Sequence, residues 1–234
     1  MSVSFKILIV EDEENLGATL LEYLQSKGHD VYHALNVAQA KEIFNKTPQI
    51  NVVLMDINLP DGNGIELAKE LRLLNQQFVL LFLSAQNDPE TRYLGLELGA
   101  EDYITKPFDL RELNLRLSRI FKNQERFGSM QSEITLGKLK IHFSRFQVID
   151  GQGLVLNLSQ KECSILELLY TNKNNVISRD DIINEVWGKD SYPSNRTVDN
   201  YIVKLRKWLE TDSSHQAIIN SVRGIGYSFI IKGS

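Results

Sequence analysis

Three carboxylates stand where strand-like segments end. Glu11 and Asp12 directly follow Lys6–Val10, and Asp56 directly follows Val52–Met55. If these segments are neighbouring parallel strands, their carboxyl ends bring the three acids together. Like charges at one point repel unless a cation neutralises them. Hard oxygen donors at this density suit Mg²⁺, with Mn²⁺ able to replace it in vitro. The plainer alternative is three solvated acids at loop starts. Lys106 follows Tyr103–Thr105 and precedes Pro107, so its ammonium could hold a phosphoryl oxygen or pair with a carboxylate. Ser84, after Val79–Leu83, could donate a hydrogen bond to the same oxygen. The five positions fall at the ends of strands one, three, four and five, which chance seldom arranges.

The elements that must hold these residues alternate in type. Candidate strands are Lys6–Val10, Asp30–Ala34, Val52–Met55, Val79–Leu83 and Tyr103–Thr105, separated by amphipathic stretches near 13–26, 36–46, 64–74, 88–98 and 109–122. Leu16, Leu20 and Leu24 share one face at four-residue spacing. Asn36 and Asp109 suit N-caps, and Gly28 suits the end of the first helix. Short apolar strands alternating with helices predict an α/β domain, a doubly wound parallel sheet covered on both faces.

The pattern changes after residue 122. Asn123, Gln124, Glu125, Gly128 and Ser129 interrupt it, and residues 123–131 read as a short flexible tether between domains at 1–122 and 132–234, into which the last helix of the first domain could extend. Ile134–Leu136, Leu139–Phe143, Phe146–Ile149 and Leu154–Leu158 then read as an antiparallel platform, with a turn at 150–153. Helices near 160–171, 179–187 and 195–210 follow, and Ile218–Ile231 reads as a β-hairpin around Gly224-Ile225-Gly226. Helices closed by a hairpin predict a winged helix, which offers one element to a major groove and another to the flanking backbone. From Asn195 to Leu209, Val198, Ile202, Leu205 and Leu209 form an apolar stripe. Arg196, Thr197, Asn200, Tyr201, Lys204 and Lys207 are assigned to the open and flanking positions, as donors for phosphates and base edges.

Composition agrees with two globular domains: 42% of the 234 residues are hydrophobic and 24% charged. Residues 1–122 carry 12 Lys/Arg against 18 Asp/Glu, whereas residues 131–234 carry 13 against 11. An acidic half followed by a mildly basic one fits a metal or phosphate site joined to a polyanion-binding module. No apolar run is long enough for a membrane span, and the first residues lack the basic flank of a signal peptide. Cys163 is the single cysteine and lies in an apolar helical stretch, so it reads as core. A reducing cytoplasm is the expected setting.

Four motifs carry a family resemblance: Ile-Leu-Ile-Val-Glu-Asp-Glu (7–13), Leu-Met-Asp-Ile-Asn-Leu-Pro-Asp-Gly-Asn-Gly (54–64), Leu-Ser-Ala (83–85) and Gly-Ala-Glu-Asp-Tyr-Ile-Thr-Lys-Pro-Phe (99–108). They resemble the response-regulator receiver domain, a (βα)5 fold. Arg-Thr-Val-Asp-Asn-Tyr-Ile-Val-Lys-Leu-Arg-Lys-Trp-Leu (196–209) and Ser-Val-Arg-Gly-Ile-Gly-Tyr (221–227) extend the resemblance to the OmpR/PhoB-type transcription factors over residues 4–230. The resemblance implies that Asp56 accepts a phosphoryl group from a sensor histidine kinase. Glu11, Asp12, Asp56 and the backbone carbonyl of Asn58 would hold Mg²⁺. Lys106 would contact the phosphoryl oxygens, Ser84 would be the switch hydroxyl, and Tyr103 the aromatic that turns inward on activation.

The same resemblance implies a homodimer through the face of the fourth helix, fifth strand and fifth helix. That face would carry Arg92, Glu97, Glu101, Asp102, Arg111, Glu112, Arg116 and Arg119, with Arg92–Glu112 and Asp102–Arg116 as intersubunit pairs. It implies double-stranded promoter DNA, in direct-repeat half-sites, as the ligand of the helix from Asn195, with Arg223 at the minor groove or its phosphates. Arg206 is expected against Asp199 or phosphate. Trp187 would be a core and turn residue near a loop that can meet RNA polymerase. No turnover of an external substrate is expected, only self-phosphorylation and slow autodephosphorylation, with Asn58 and Gln86 near the path of the attacking water. A loose tether would leave the coupling of the halves to dimerisation.

Overall fold

The structure, a computed structural model, describes residues 4–75, 78–85, 95, 98–129, 133–188, 194–211 and 217–232. It divides into two compact units, residues 1–122 and 123–234.

The first unit is built on a five-stranded parallel sheet of β1 (Lys6–Val10), β2 (Asp30–Ala34), β3 (Val52–Asp56), β6 (Val79–Ser84) and β7 (Asp102–Thr105), in the order β2-β1-β3-β6-β7. A short hairpin of β4 (Asn58–Leu59) and β5 (Gly62–Asn63), not foreseen from sequence, follows β3. All five residues of β3 are buried, as a central strand covered on both faces requires. Alternation along the strands divides the core. Leu8, Val10, Val53, Met55, Leu80 and Phe82 lie in one cluster with Phe44, Ile65 and Leu71 of the helices Val37–Lys46 and Gly64–Leu74. Ile7, Ile9, Val52, Leu54, Leu81 and Leu83 lie in another with Leu20, Leu24, Leu113 and Leu117 of the helices Glu14–Ser26 and Leu110–Ser129. Each such side chain contributes about 1.5–3 kcal/mol on burial.

Local signals set the helix ends. Asn36 and Asn63 cap the helices that follow them, accepting from Gln39 N and Ile65 N, and Asp109 accepts from Arg111 N at 2.7 Å. Gly28 takes φ +91° just beyond the first helix, where a side chain would be strained. The expected fourth helix near 88–98 falls mostly outside the described residues. Strand order reverses between β1 and β3, so a crevice opens at their carboxyl ends.

The second unit has a four-stranded antiparallel sheet, in the order β11-β10-β9-β8, made of β8 (Glu133–Leu136), β9 (Leu139–His142), β10 (Gln147–Ile149) and β11 (Val155–Asn157). The helices Gln160–Thr171, Arg179–Val186 and Asn195–Leu209 follow. A capping box of Ser159 and Glu162 opens the first, and Ser178 caps the second. The hairpin β13 (Ala217–Val222) and β14 (Gly226–Ile231) closes the unit, joined by β12 (Val176–Ser178), a strand too short to give a sequence pattern. This is a winged helix with an N-terminal β-platform. Of the two readings of 123–131, the extended helix holds over its first part: Asn123–Ser129 are helical, and Phe127, not expected in any core, is fully buried in the core of this unit, 5.5 Å from the Phe146 ring. A lone aromatic in a polar stretch carries no periodic signal, so only packing reveals it.

Candidate functional site

At the carboxyl edge of the parallel sheet, oxygens of Glu11, Asp12 and Asp56 all lie within 4.8 Å of one another. Glu11 is fully buried and Asp56 nearly so, whereas Asp12 is exposed at the mouth. Parallel register explains the meeting: Val10 pairs with Met55, so the next residue on each strand emerges at the same level. Lys106 reaches in from the end of β7, with Nζ 2.6 Å from the Glu11 carboxylate and in contact with Asp56 Oδ2. Asp56 Oδ1 accepts from Asn58 N at 3.0 Å, which turns the carboxylate and anchors the chain leaving β3. Ser84 is buried at the end of β6, and its carbonyl accepts from Lys106 N at 2.8 Å.

The charges do not balance. Among the described residues three carboxylates face one ammonium, and burial pushes the Glu11 carboxyl above the usual carboxylate range, against the opposing pull of Lys106. Burial alone would lower the Lys106 ammonium. Hydrogen bonds to Asp56 and Glu11 outweigh that and hold it above its ordinary value. A hard divalent cation on Glu11, Asp12 and Asp56 would remove the excess negative charge, so the donor set fits Mg²⁺.

Residues unnoticed in the sequence support the pocket. His33 Nε2 lies 2.8 Å from the carbonyl of Glu11, and a Cβ on Gly17 would come within 2.1 Å of that imidazole. A Cβ on Gly64 would stand 2.0 Å from the carbonyl oxygen of Asp56, so the helix can start this close to β3 only with glycine there. The ring of Tyr103, the aromatic already expected at the switch, packs at 5.1 Å on Phe82, and a Cβ on Gly95 would come within 2.4 Å of its hydroxyl. Only the glycines could have signalled these close approaches, and the motif at 54–64 contains Gly64.

The expected dimer face needs correction. Glu101 is 3% exposed, turned into the fold rather than outward. Arg116 is in contact with Asp102 and lies 2.7 Å from Glu112, all within one chain, so the Asp102–Arg116 pair forms without a partner subunit. Arg111 pairs with Asp109 at 2.7 Å. Arg111, Glu112 and Arg119 are exposed, and Leu115 stands 62% exposed among them. Arg92, Glu97 and Gln86 lie outside the described residues.

The helix Asn195–Leu209 turns Val198, Ile202, Leu205 and Leu209 into the core, as its periodicity predicts. Asn195, Arg196 and Lys207 are exposed, Asn200 and Lys204 half-buried, and Arg223 is exposed in the hairpin turn. Three expected contacts are corrected. Tyr201 is 2% exposed, its ring 5.6 Å from Trp187, because it borders the apolar stripe. Thr197 is buried, with its hydroxyl 3.3 Å from Ser194 Oγ. Arg206 donates to the carbonyl of Ile219 and to Ser221 Oγ, both at 2.9 Å, rather than to Asp199. Asp199 instead holds Arg179 Nε at 2.8 Å and the Tyr227 hydroxyl, a clasp joining this helix to β14. Trp187 is buried, as expected.

A parallel α/β domain with this acidic pocket, followed by a winged helix, defines a receiver coupled to a DNA-binding output. The description "Response regulator receiver domain" matches residues 7–118, and "Transcriptional regulatory protein, C terminal" matches residues 152–229. The chain is 35% identical over 233 residues to the alkaline phosphatase synthesis transcriptional regulatory protein PhoP of Bacillus subtilis, covering 95% of each. It is 36% identical over 236 residues to a probable transcriptional regulatory protein of Picosynechococcus, covering 98% of this chain and 94% of that one. Among solved structures, the response regulator DrrB of Thermotoga maritima, described as an OmpR/PhoB homologue, superposes with a TM-score of 0.51 at 29% identity, covering 97% of this chain and all of that one. The chain belongs to the OmpR/PhoB family of two-component response regulators. It carries a DNA-binding domain and acts in transcriptional regulation. No helix among the described residues is long and apolar enough to cross a membrane.

Proposed function

We propose that Asp56 takes a phosphoryl group from the phosphohistidine of a sensor kinase in the cytoplasm, and that this controls binding of promoter DNA. The observation that carries the reading is the Asp56 carboxylate held between Lys106 and the Asn58 amide, beside Glu11 and Asp12. An oxygen of Asp56 attacks phosphorus, a P–O bond forms, the P–N bond to imidazole breaks, and the imidazole nitrogen keeps the electron pair and takes up a proton. Lys106 is already positioned to neutralise a transferring oxygen. Glu11, Asp12, Asp56 and the Asn58 carbonyl would hold Mg²⁺, which would add positive charge opposite the phosphoryl oxygens. Ser84, buried at the same edge, donates to the new phosphoryl group, and Tyr103 follows into the space it leaves. Slow hydrolysis of the acyl phosphate returns the resting state, with Asn58 near the path of the attacking water.

The phosphorylated receivers then pair through the face bearing Arg111, Glu112, Leu115 and Arg119. Pairing raises the local concentration of the second winged helix over a direct-repeat half-site. Asn195, Arg196, Asn200, Lys204, Lys207 and Arg223 are the DNA contacts, and RNA polymerase is a further partner. The test is intact-mass analysis after incubation with a phosphorylated kinase domain and Mg²⁺. One phosphoryl group should appear on the parent and none on Asp56→Asn. A modified Asp56→Asn protein would refute the assignment.

A further inference from the structure

Val203 lies 49% exposed near the middle of the helix Asn195–Leu209, on the side opposite the buried stripe. At about 100° per residue, Arg196, Asn200, Val203 and Lys207 fall within ~60° of one another on that outer surface. The stripe therefore runs cation, amide, isopropyl, cation. With Tyr201 and Thr197 buried and Arg206 committed to the hairpin, Val203 is central to what the helix offers a ligand. A β-branched residue is a weaker helix former than alanine, and here its side chain gains no core contact in return. Isolated apolar side chains on a surface normally carry no message. Val203 differs in its setting. One small side chain ringed by Arg196, Asn200, Lys204 and Lys207 is a poor anchor for a protein partner, yet it matches a groove lined by phosphates. The thymine C5-methyl is the apolar group that base edges present in the major groove, and Asn200, one turn away, suits adenine.

We propose that Val203 packs on a thymine C5-methyl and so selects an A·T pair at one fixed position in each half-site. The inference rests on the reading of Asn195–Leu209 as the DNA-reading helix. In vitro selection with the full-length chain supplies its preferred site. Thymines in that site are then replaced singly by deoxyuridine, which deletes only the methyl group. Affinities are measured for the parent and for Val203→Ala, with circular dichroism confirming that the exposed substitution leaves the fold intact. One buried methyl contributes ~0.8 kcal/mol, so the parent should bind about fourfold more weakly at one thymine per half-site. Val203→Ala should bind the thymine and uracil sites alike. Specific binding that ignores every such replacement, or a penalty that Val203→Ala retains, overturns the role of Val203 while leaving the helix as the reader. No enriched sequence, together with DNA affinity unchanged in Arg196→Ala and Lys207→Ala, overturns the helix reading itself and the inference with it.

Discussion

Replacing Lys106 with methionine deletes the cation that bridges Glu11 and Asp56 while keeping most of the side-chain length. The Lys106 side chain is 16% exposed, and those of Glu11 and Asp56 are 0% and 8%. Removing one partner of a buried pair costs about 3–5 kcal/mol, and solvent at the pocket mouth brings the expected loss for metal-free protein to about 2–3 kcal/mol at neutral pH. The Glu11 carboxyl, already raised by burial, rises further once the opposing ammonium is gone. An acid whose folded pKa exceeds its unfolded one makes the fold bind protons more tightly than the unfolded chain. Stability of the variant should therefore recover as pH falls from neutrality into the ordinary carboxylate range. Excess Mg²⁺ should also restore it, by about 2.7 kcal/mol at a hundredfold excess over Kd, and more in the variant than in the parent because no ammonium competes. Trp187 and Trp208 both lie in the second unit, so tryptophan fluorescence does not report on this pocket. Amide hydrogen exchange of segments 5–12 and 52–58 in the full chain does. Unchanged protection in metal-free Lys106→Met, or a Mg²⁺ response no larger than the parent's, would refute the electrostatic account.

Gly64→Ala should destabilise the receiver by about 1–3 kcal/mol and slow phosphorylation by a small-molecule donor, because the new Cβ meets the Asp56 carbonyl; a rate and a melting temperature equal to the parent's would contradict this. His29 packs against Phe5 and Phe121 with Nδ1 unpartnered, and burial holds its pKa below the ordinary 6.5. Its neutral form stabilises the fold above pH 6.5, and that contribution is lost as pH falls from there through the depressed folded value. His29→Asn should flatten this limb of the receiver's stability profile, and a variant with the same slope would sink the idea. Tyr227→Phe removes the hydroxyl shared by Asp199 and Arg179, and should cost about 1–2 kcal/mol in urea denaturation followed by tryptophan fluorescence; an unshifted midpoint would show that the clasp contributes nothing.

The chain's one-dimensional pattern determined a good deal. Alternating apolar runs and helical periods specified the parallel sheet and the winged helix, since burial on two faces demands continuous apolar strands such as Val52–Met55. The residues just beyond those strands named the pocket, because a parallel sheet must bring its carboxyl ends to one edge. Asn36, Asp109 and Gly28 marked helix ends through local chemistry that involves only their neighbours. Other features depended on packing between segments far apart in the chain. Tyr201 and Thr197 look polar enough for an open helix face, yet the width of the buried stripe took both inward. Arg206 was available to Asp199 or phosphate until the hairpin placed the Ile219 carbonyl within reach, and Arg179, from another helix, took Asp199 instead. Phe127 gave no periodic signal and was read as tether, but a pocket assembled from Phe143 and Phe146 buries it. Charge and periodicity are properties of a segment and can be read along the chain. Which polar atom finds which partner is settled by distances of a few ångströms between distant residues, and only the folded chain fixes those.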